Sequence, residues 1–276
     1  MVAAMGGFAL EDMVLKVAAR AMPLGQVLVI FGLQGMVCFA VMARRRGEPA
    51  FPAALLGWGM AVRSGFEIGG RLFYALAIAL TPLSVASAIL QATPLLVVGA
   101  AAVLFGEGVG WRRWLAVAIG FAGVLMILRP GFEGFDALSL LAVAGMIGFA
   151  GRDLATRAAP QSLSNAQLGV AGFAMLTLSG AVIWAVTGGA VWPDAAGLGL
   201  LAAVTVLGVA AYAALTGAMR TGEVSVVTPF RYTRLVFALG LGVAVFGERP
   251  DLMTLLGSAV IVAAGVYTLT QRRRIG

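Results

Sequence analysis

Histidine is absent from the 276 residues, cysteine occurs once and acidic residues number only 12. Without histidine the chain lacks the side chain that most readily changes charge near neutral pH, so any proton coupling falls to carboxylates. The lone Cys38 excludes an internal disulfide. With so little cysteine and no histidine, neither a metal-ligand cluster nor a Ser-His nucleophile can be built, and no cofactor motif stands out. Charged residues make up 11% of the chain, against about 25% in an ordinary soluble domain. That scarcity excludes a soluble globular protein. An aspartyl membrane protease would need two cooperating aspartates, and the only buried candidates, Asp12 and Asp153, each have a cation four residues on. No catalytic residue is therefore expected.

What the chain has is apolar surface: 61% hydrophobic residues and a mean hydropathy of +0.99. Disorder is excluded as well. A membrane-spanning helix takes about 20 apolar residues, and with short links 276 residues accommodate about ten. The predicted helices cover 3–21, 25–43, 58–80, 85–105, 111–128, 137–157, 166–187, 197–219, 225–246 and 251–270, separated by short polar links rich in Pro, Gly and Arg. Ala19-Arg20-Ala21 imitates a signal-peptidase site, but Glu11, Asp12 and Lys16 interrupt the apolar centre such a signal needs, so a retained first helix is expected. With the N-terminus inside, Arg44, Arg45, Arg46, Arg112, Arg113, Arg157, Arg220, Arg272, Arg273 and Arg274 face the cytoplasm, and mainly Arg129 and Arg249 face outward. The positive-inside rule selects this orientation, with both termini cytoplasmic and a bacterial-type inner membrane as host. Topology thus explains the net charge of +7 without nucleic acid.

A shift of 141 residues lays Gly7-Phe8-Ala9, Asp12 and Lys16 on Gly148-Phe149-Ala150, Asp153 and Arg157, and Phe105-Gly106-Glu107 on Phe246-Gly247-Glu248. The chain therefore reads as two five-helix repeats, residues 1–130 and 131–276. An odd number of spans per repeat sends the second through the membrane the other way, giving an all-α membrane protein of ten helices in two inverted repeats. Secondary transporters are built this way, with the site near the midplane where the repeats meet. Ala122-Gly123-Val124 and Ala264-Gly265-Val266 in each last helix continue the match.

In these features the chain resembles the EamA-type carriers of the drug/metabolite transporter superfamily. The resemblance rests on the Phe-Gly-Glu that ends an apolar helix in each half, on the Ala-Gly-Val helices, on Gln91-Ala92-Thr93-Pro94 and on Thr228-Pro229-Phe230-Arg231-Tyr232-Thr233-Arg234-Leu235. It implies a central cavity lined mainly by helices 1, 3, 4, 6, 8 and 9, with helices 5 and 10 peripheral. It leaves the substrate open, because the superfamily moves amino acids, cofactors, nucleotide-like metabolites and drugs.

Charges inside the bundle are costly and mark site candidates. Asp12 and Lys16 stand four apart on helix 1 beside Glu11, the favourable order for an intrahelical pair; Asp153 and Arg157 repeat this on helix 6 beside Arg152. These six residues are the gating or coupling candidates, either as gates that break in turn or as static struts. Helix 3 sets Arg63, Glu67, Arg71 and Tyr74 on one stripe, matched in the second half by Val204, Gly208, Tyr212 and Leu215. Helix 9 adds Arg231, Tyr232 and Arg234 after a Pro229 kink, with Gln91 opposite Tyr232 as symmetry mate. Glu67, Arg71, Tyr74, Gln91, Tyr212, Arg231, Tyr232 and Arg234 are the substrate-binding candidates. Glu107 and Glu248 read as landmarks at helix ends. Phe8, Phe66, Phe73, Phe149 and Phe230 either line a pocket with the tyrosines or fill the core.

The expected function is a secondary carrier for a small polar or amphipathic metabolite, an amino acid or related anionic or zwitterionic compound. The surplus of arginine over carboxylate favours acceptor-rich substrates and disfavours lipophilic cations. The alternative is uptake of a cofactor-like molecule such as riboflavin or S-adenosylmethionine. Expected partners are the substrate, the bilayer and protons as coupling ion, with the protein a monomer or homodimer.

Overall fold

The computed structural model describes residues 1–105, 110–129, 136–156, 162–221 and 228–271. Among these the chain is helical, with no strand. The first half contains α1 (Val2–Ala21), α2 (Leu24–Arg45), a 3-10 turn (Ala53–Leu56), α3 (Trp58–Leu80), α4 (Leu83–Leu90), α5 (Thr93–Phe105) and α6 (Trp111–Leu128). The second contains α7 (Ser139–Thr156), α8 (Asn165–Thr187), α9 (Ala195–Thr221), a 3-10 segment (Thr228–Tyr232), α10 (Thr233–Phe246) and α11 (Leu252–Gln271). Among the described residues, four stretches are long and apolar enough to cross a membrane: Leu24–Arg45, Leu83–Leu104, Asn165–Thr187 and Ala195–Ala218. Helices α1 and α3 have similar length but carry more charge, and that charge turns inward: Asp12, Lys16, Arg63 and Glu67 are all buried. The outside is apolar, with Val37, Val103, Val186 and Val206 more than half exposed, as a lipid-facing surface requires.

Two predicted helices depart from regular α geometry. The fourth breaks at Gln91 and Ala92, which form a turn between α4 and α5. The cause is Pro94, which has no N–H for the preceding turn; the Thr93 hydroxyl donates to the Leu90 carbonyl instead, at 2.5 Å. In the described part of the ninth, the 3-10 segment containing Pro229 runs directly into α10, and Thr233 Oγ1 donates to the Phe230 carbonyl at 2.7 Å. The Gln91 side chain joins the α4/α5 break to this segment, its Nε2 donating to the Arg231 carbonyl at 2.9 Å.

Helices of one half pack mainly on helices of the other: α2 on α8, α3 on α7, α1 on α9 and α6 on α11. Small residues set these approaches. On α7, a Cβ at Gly148 would lie 2.4 Å from the Gly70 amide nitrogen of α3. On α1, a Cβ at Gly7 would lie 2.9 Å from Ala211 of α9. The shift of 141 residues carries one crossing onto the other. Between α6 and α11, Cβ atoms at Gly123 or Gly257 would each meet the other's carbonyl oxygen within 2.8 Å. Between α2 and α8 the core is aromatic, with Phe173 stacked edge-on against Phe31 at 5.4 Å. Gly148→Ala should therefore destabilise the purified protein by about 1–3 kcal/mol through overpacking, read as a lowered Tm in detergent. Gly65→Ala is the control, since nothing lies within 4 Å of a Cβ there.

Candidate functional site

A cavity of about 130 Å³ sits where the halves meet. Helix α1 lines it with Phe8, Glu11, Asp12 and Leu15, α3 with Arg71, Tyr74 and Ile78, and the α4/α5 break with Gln91, Thr93 and Pro94. From the second half come Phe149 and Arg152 of α7, Tyr212 and Leu215 of α9, Arg231 and Tyr232 of the 3-10 segment, and Arg234 of α10. Leu28 and Phe31 of α2 and Leu176 of α8 complete the wall, so the lining extends to the second and seventh predicted helices. Phe66, Phe73 and Phe230 point outward instead, each more than a third exposed.

The charges fall into three tiers along α1 and α3. In the middle, Asp12 accepts from Arg234 at 2.5 Å and from the Tyr74 hydroxyl at 3.2 Å. Toward the C-terminal ends of α1 and α3, Lys16 lies 3.6 Å from Glu248 and donates to the Thr81 carbonyl. The expected Asp12–Lys16 pair is thus replaced by two separate partnerships. The i,i+4 rule assumes that no third helix competes, and here α3 and α10, with the residues that follow each, bring other partners to both groups. At the opposite end Glu67, fully buried, lies 2.9 Å from Arg63, 3.7 Å from Arg71 and 3.8 Å from Arg152. Arg152 also donates to Asp153 from Nε at 2.9 Å and from a terminal nitrogen at 2.7 Å. Arg157, the expected partner of Asp153, lies outside the described residues, as does Glu107.

Glu248 is more than a landmark. It accepts from the backbone N–H groups of Leu83 and Ser84 at 2.6 and 3.0 Å and from the Ser84 hydroxyl at 2.7 Å. A carboxylate from the second half thereby caps the start of α4, where unsatisfied amides favour negative charge. Beside it lies a cleft of about 320 Å³, lined by Lys16, Arg20, Phe246, Glu248 and the turn from Ala79 to Pro82. Leu15 and Ile78 line the cavity while the next residue of each helix, Lys16 and Ala79, lines the cleft, so the Lys16–Glu248 pair lies on the cleft side, one residue beyond the cavity wall. Sequence reasoning missed this pairing; the equal distance of Phe246-Gly247-Glu248 from its repeat mate signalled a boundary but not a contact with α4.

Gln91 and Tyr232 do not bond each other. The Gln91 amide is taken by the Arg231 carbonyl, and the Tyr232 ring packs against α11, where a Cβ at Gly265 would collide with its hydroxyl. That hydroxyl is buried and has no hydrogen-bond partner among the described residues. Tyr212 stacks edge-on against Phe39 at 5.3 Å. Among the described residues no cluster of acids or cysteine could hold a metal ion.

Chemically, the cavity offers guanidinium, carboxylate, amide and phenol groups in an apolar enclosure. It suits recognition of a small molecule with polar ends. The model of the EamA-like transporter family matches the chain at residues 1–129 and 136–270. Similar curated proteins include an S-adenosylmethionine uptake transporter of Rickettsia prowazekii, 24% identical over 74% of this chain and 69% of that protein. A riboflavin transporter of Rhizobium johnstonii is 28% identical over 71% of this chain and 65% of its own length. A pseudopaline exporter of Pseudomonas aeruginosa is 26% identical over 93% and 90%. A crystal structure 24% identical in sequence shares the fold with a TM-score of 0.65, over 99% of this chain and 98% of the other.

Proposed function

Because this chain belongs to the EamA-like transporter family, we propose that it is a secondary carrier for a small polar or amphipathic metabolite, an amino acid or related anionic or zwitterionic compound, working by alternating access. The observation that carries the reading is the cavity between the halves, with the α4/α5 break and the 3-10 segment of the second half in its wall and joined through Gln91. Interrupted helices at a repeat interface are where secondary transporters bind substrate. In this reading residues 1–130 and 131–276 are inverted five-helix repeats that make ten spans in a bacterial inner membrane, both termini cytoplasmic. The matched crossings at Gly7/Ala211 and Gly148/Gly70 support it. The Lys16–Glu248 tier is the outer gate and the Glu67 tier the inner closure.

The names of relatives favour a second reading, uptake of a cofactor-like molecule. One screen separates them. Thermal unfolding of the detergent-purified protein is measured with amino acids, riboflavin, S-adenosylmethionine, organic anions and lipophilic cations, since a ligand of the folded state raises Tm. Stabilisation by amino acids or organic anions supports the first reading, and stabilisation by riboflavin or S-adenosylmethionine alone supports the second. If only lipophilic cations stabilise, both fall.

A further inference from the structure

We propose that Glu11 and Arg231 are the residues that read the two charges of the substrate: Glu11 takes an ammonium group, Arg231 takes a carboxylate, and the site thereby selects a dipolar ion over molecules carrying either charge alone. The proposal rests on the carrier reading and adds to it the charge pattern and the residues that recognise it.

Six charged residues line the cavity. Four are engaged: Asp12 with Arg234 at 2.5 Å, Arg71 with Glu67 at 3.7 Å and Arg152 with Asp153 at 2.7 Å. Lys16, a surplus cation by sequence, is held by Glu248. The arginine excess is therefore largely spent within the protein. Among the described residues, Glu11 and Arg231 are the lining charges whose side chains have neither an ion pair nor a hydrogen bond. Glu11 is buried, 7% exposed, and the cations near it, Arg71 and Arg234, are paired with Glu67 and Asp12, so its carboxyl has no direct partner of its own, as at a site that something else completes.

Both groups are held ready. Glu11 neighbours Asp12, which Arg234 and Tyr74 fix, and Gly208 of α9 leaves room for its carboxyl, where a Cβ would approach within 3.3 Å. Arg231 sits on a backbone whose carbonyl is held by Gln91, and its 3-10 segment packs against α1. Opposite charges thus project into one cavity from packed elements, with Phe8, Phe149 and Tyr212 supplying apolar wall between the polar groups.

The test uses purified full-length protein and three charge-edited series: phenylalanine, leucine and methionine, each compared with its amide, which keeps only the ammonium, and its N-acetyl derivative, which keeps only the carboxylate. Affinity is read from the dependence of Tm on ligand concentration. The free amino acid of at least one series should bind about tenfold or more tightly than both derivatives, the worth of one charge-assisted hydrogen bond. Glu11→Gln should abolish the preference over the N-acetyl form alone, and Arg231→Gln the preference over the amide alone. Glu11→Asp and Arg231→Lys keep the charges and should retain part of each preference, which covers the case of a Gln variant that misfolds. Preferences that survive both Gln variants, tighter binding of a derivative, or no binding in any series each overturn the proposal. Exchange in proteoliposomes separates the layers: exchange that persists while selectivity ignores Glu11 and Arg231 leaves the carrier reading standing, and selective binding without exchange overturns that reading instead.

Discussion

Glu67→Gln is expected to lower stability by about 3–5 kcal/mol, the cost of leaving buried charge without its partner. The carboxylate is fully buried and faces Arg63, Arg71 and Arg152. Once it is neutral, Arg63, Arg71 and Arg152 lose the carboxylate on which all three converge, while Asp153, 28% exposed, stays bonded to Arg152. The measurement is Tm and the yield of monodisperse protein in detergent. Glu11→Gln is the internal contrast: it removes a buried carboxylate that has no ion pair, so its loss strands no cation and should cost far less. Adding Arg71→Gln to Glu67→Gln should restore part of the loss, since it removes one of the stranded charges. If Glu67→Gln melts like the unaltered protein, the cluster does not hold that end of the bundle together.

Glu248→Ala should open the cavity from the other end. The carboxylate ties α10 to the start of α4 through three hydrogen bonds and faces Lys16. Hydrogen bonds to charged groups contribute about 1.5–3 kcal/mol each, so losing the set should raise the open fraction at least about tenfold. The single native cysteine makes this measurable: with Cys38→Ser as background, Ile78→Cys places a thiol in the cavity wall just inside the pair. Its labelling by a membrane-impermeant maleimide should accelerate about tenfold or more in Glu248→Ala, and Lys16→Met should act in the same direction. A lowered Tm with unchanged labelling would make the pair a strut rather than a gate.

How far the sequence reached is clearest residue by residue. The helices were legible because each is an apolar run bounded by Pro, Gly or charge, and the helix 3 stripe was legible because spacings of four keep Arg63, Glu67 and Arg71 on one face. Their convergence on Glu67 followed from that spacing alone. The partners of Asp12 and Lys16 were not legible, because Arg234 and Glu248 come from distant parts of the chain and only packing decides which neighbour arrives first. The break at Gln91 escaped for a different reason: an apolar run through Pro94 looks continuous, and the Thr93 hydroxyl that covers the freed carbonyl is a local detail. A surplus of arginine over carboxylate is legible in the composition, but which arginines are already engaged is not.

The span of 222 residues between Asp12 and Arg234 has a consequence for biosynthesis. At about 5–20 residues per second, roughly 10–45 s separate the appearance of the two groups at the ribosome. During that interval the first helix exists with its final partners not yet made. The i,i+4 spacing of Asp12 and Lys16, which the finished fold does not use as a pair, keeps opposite charges within reach of each other over that period. Asp12 and Lys16 are thus made within reach of each other long before Arg234 and Glu248, their partners in the finished fold.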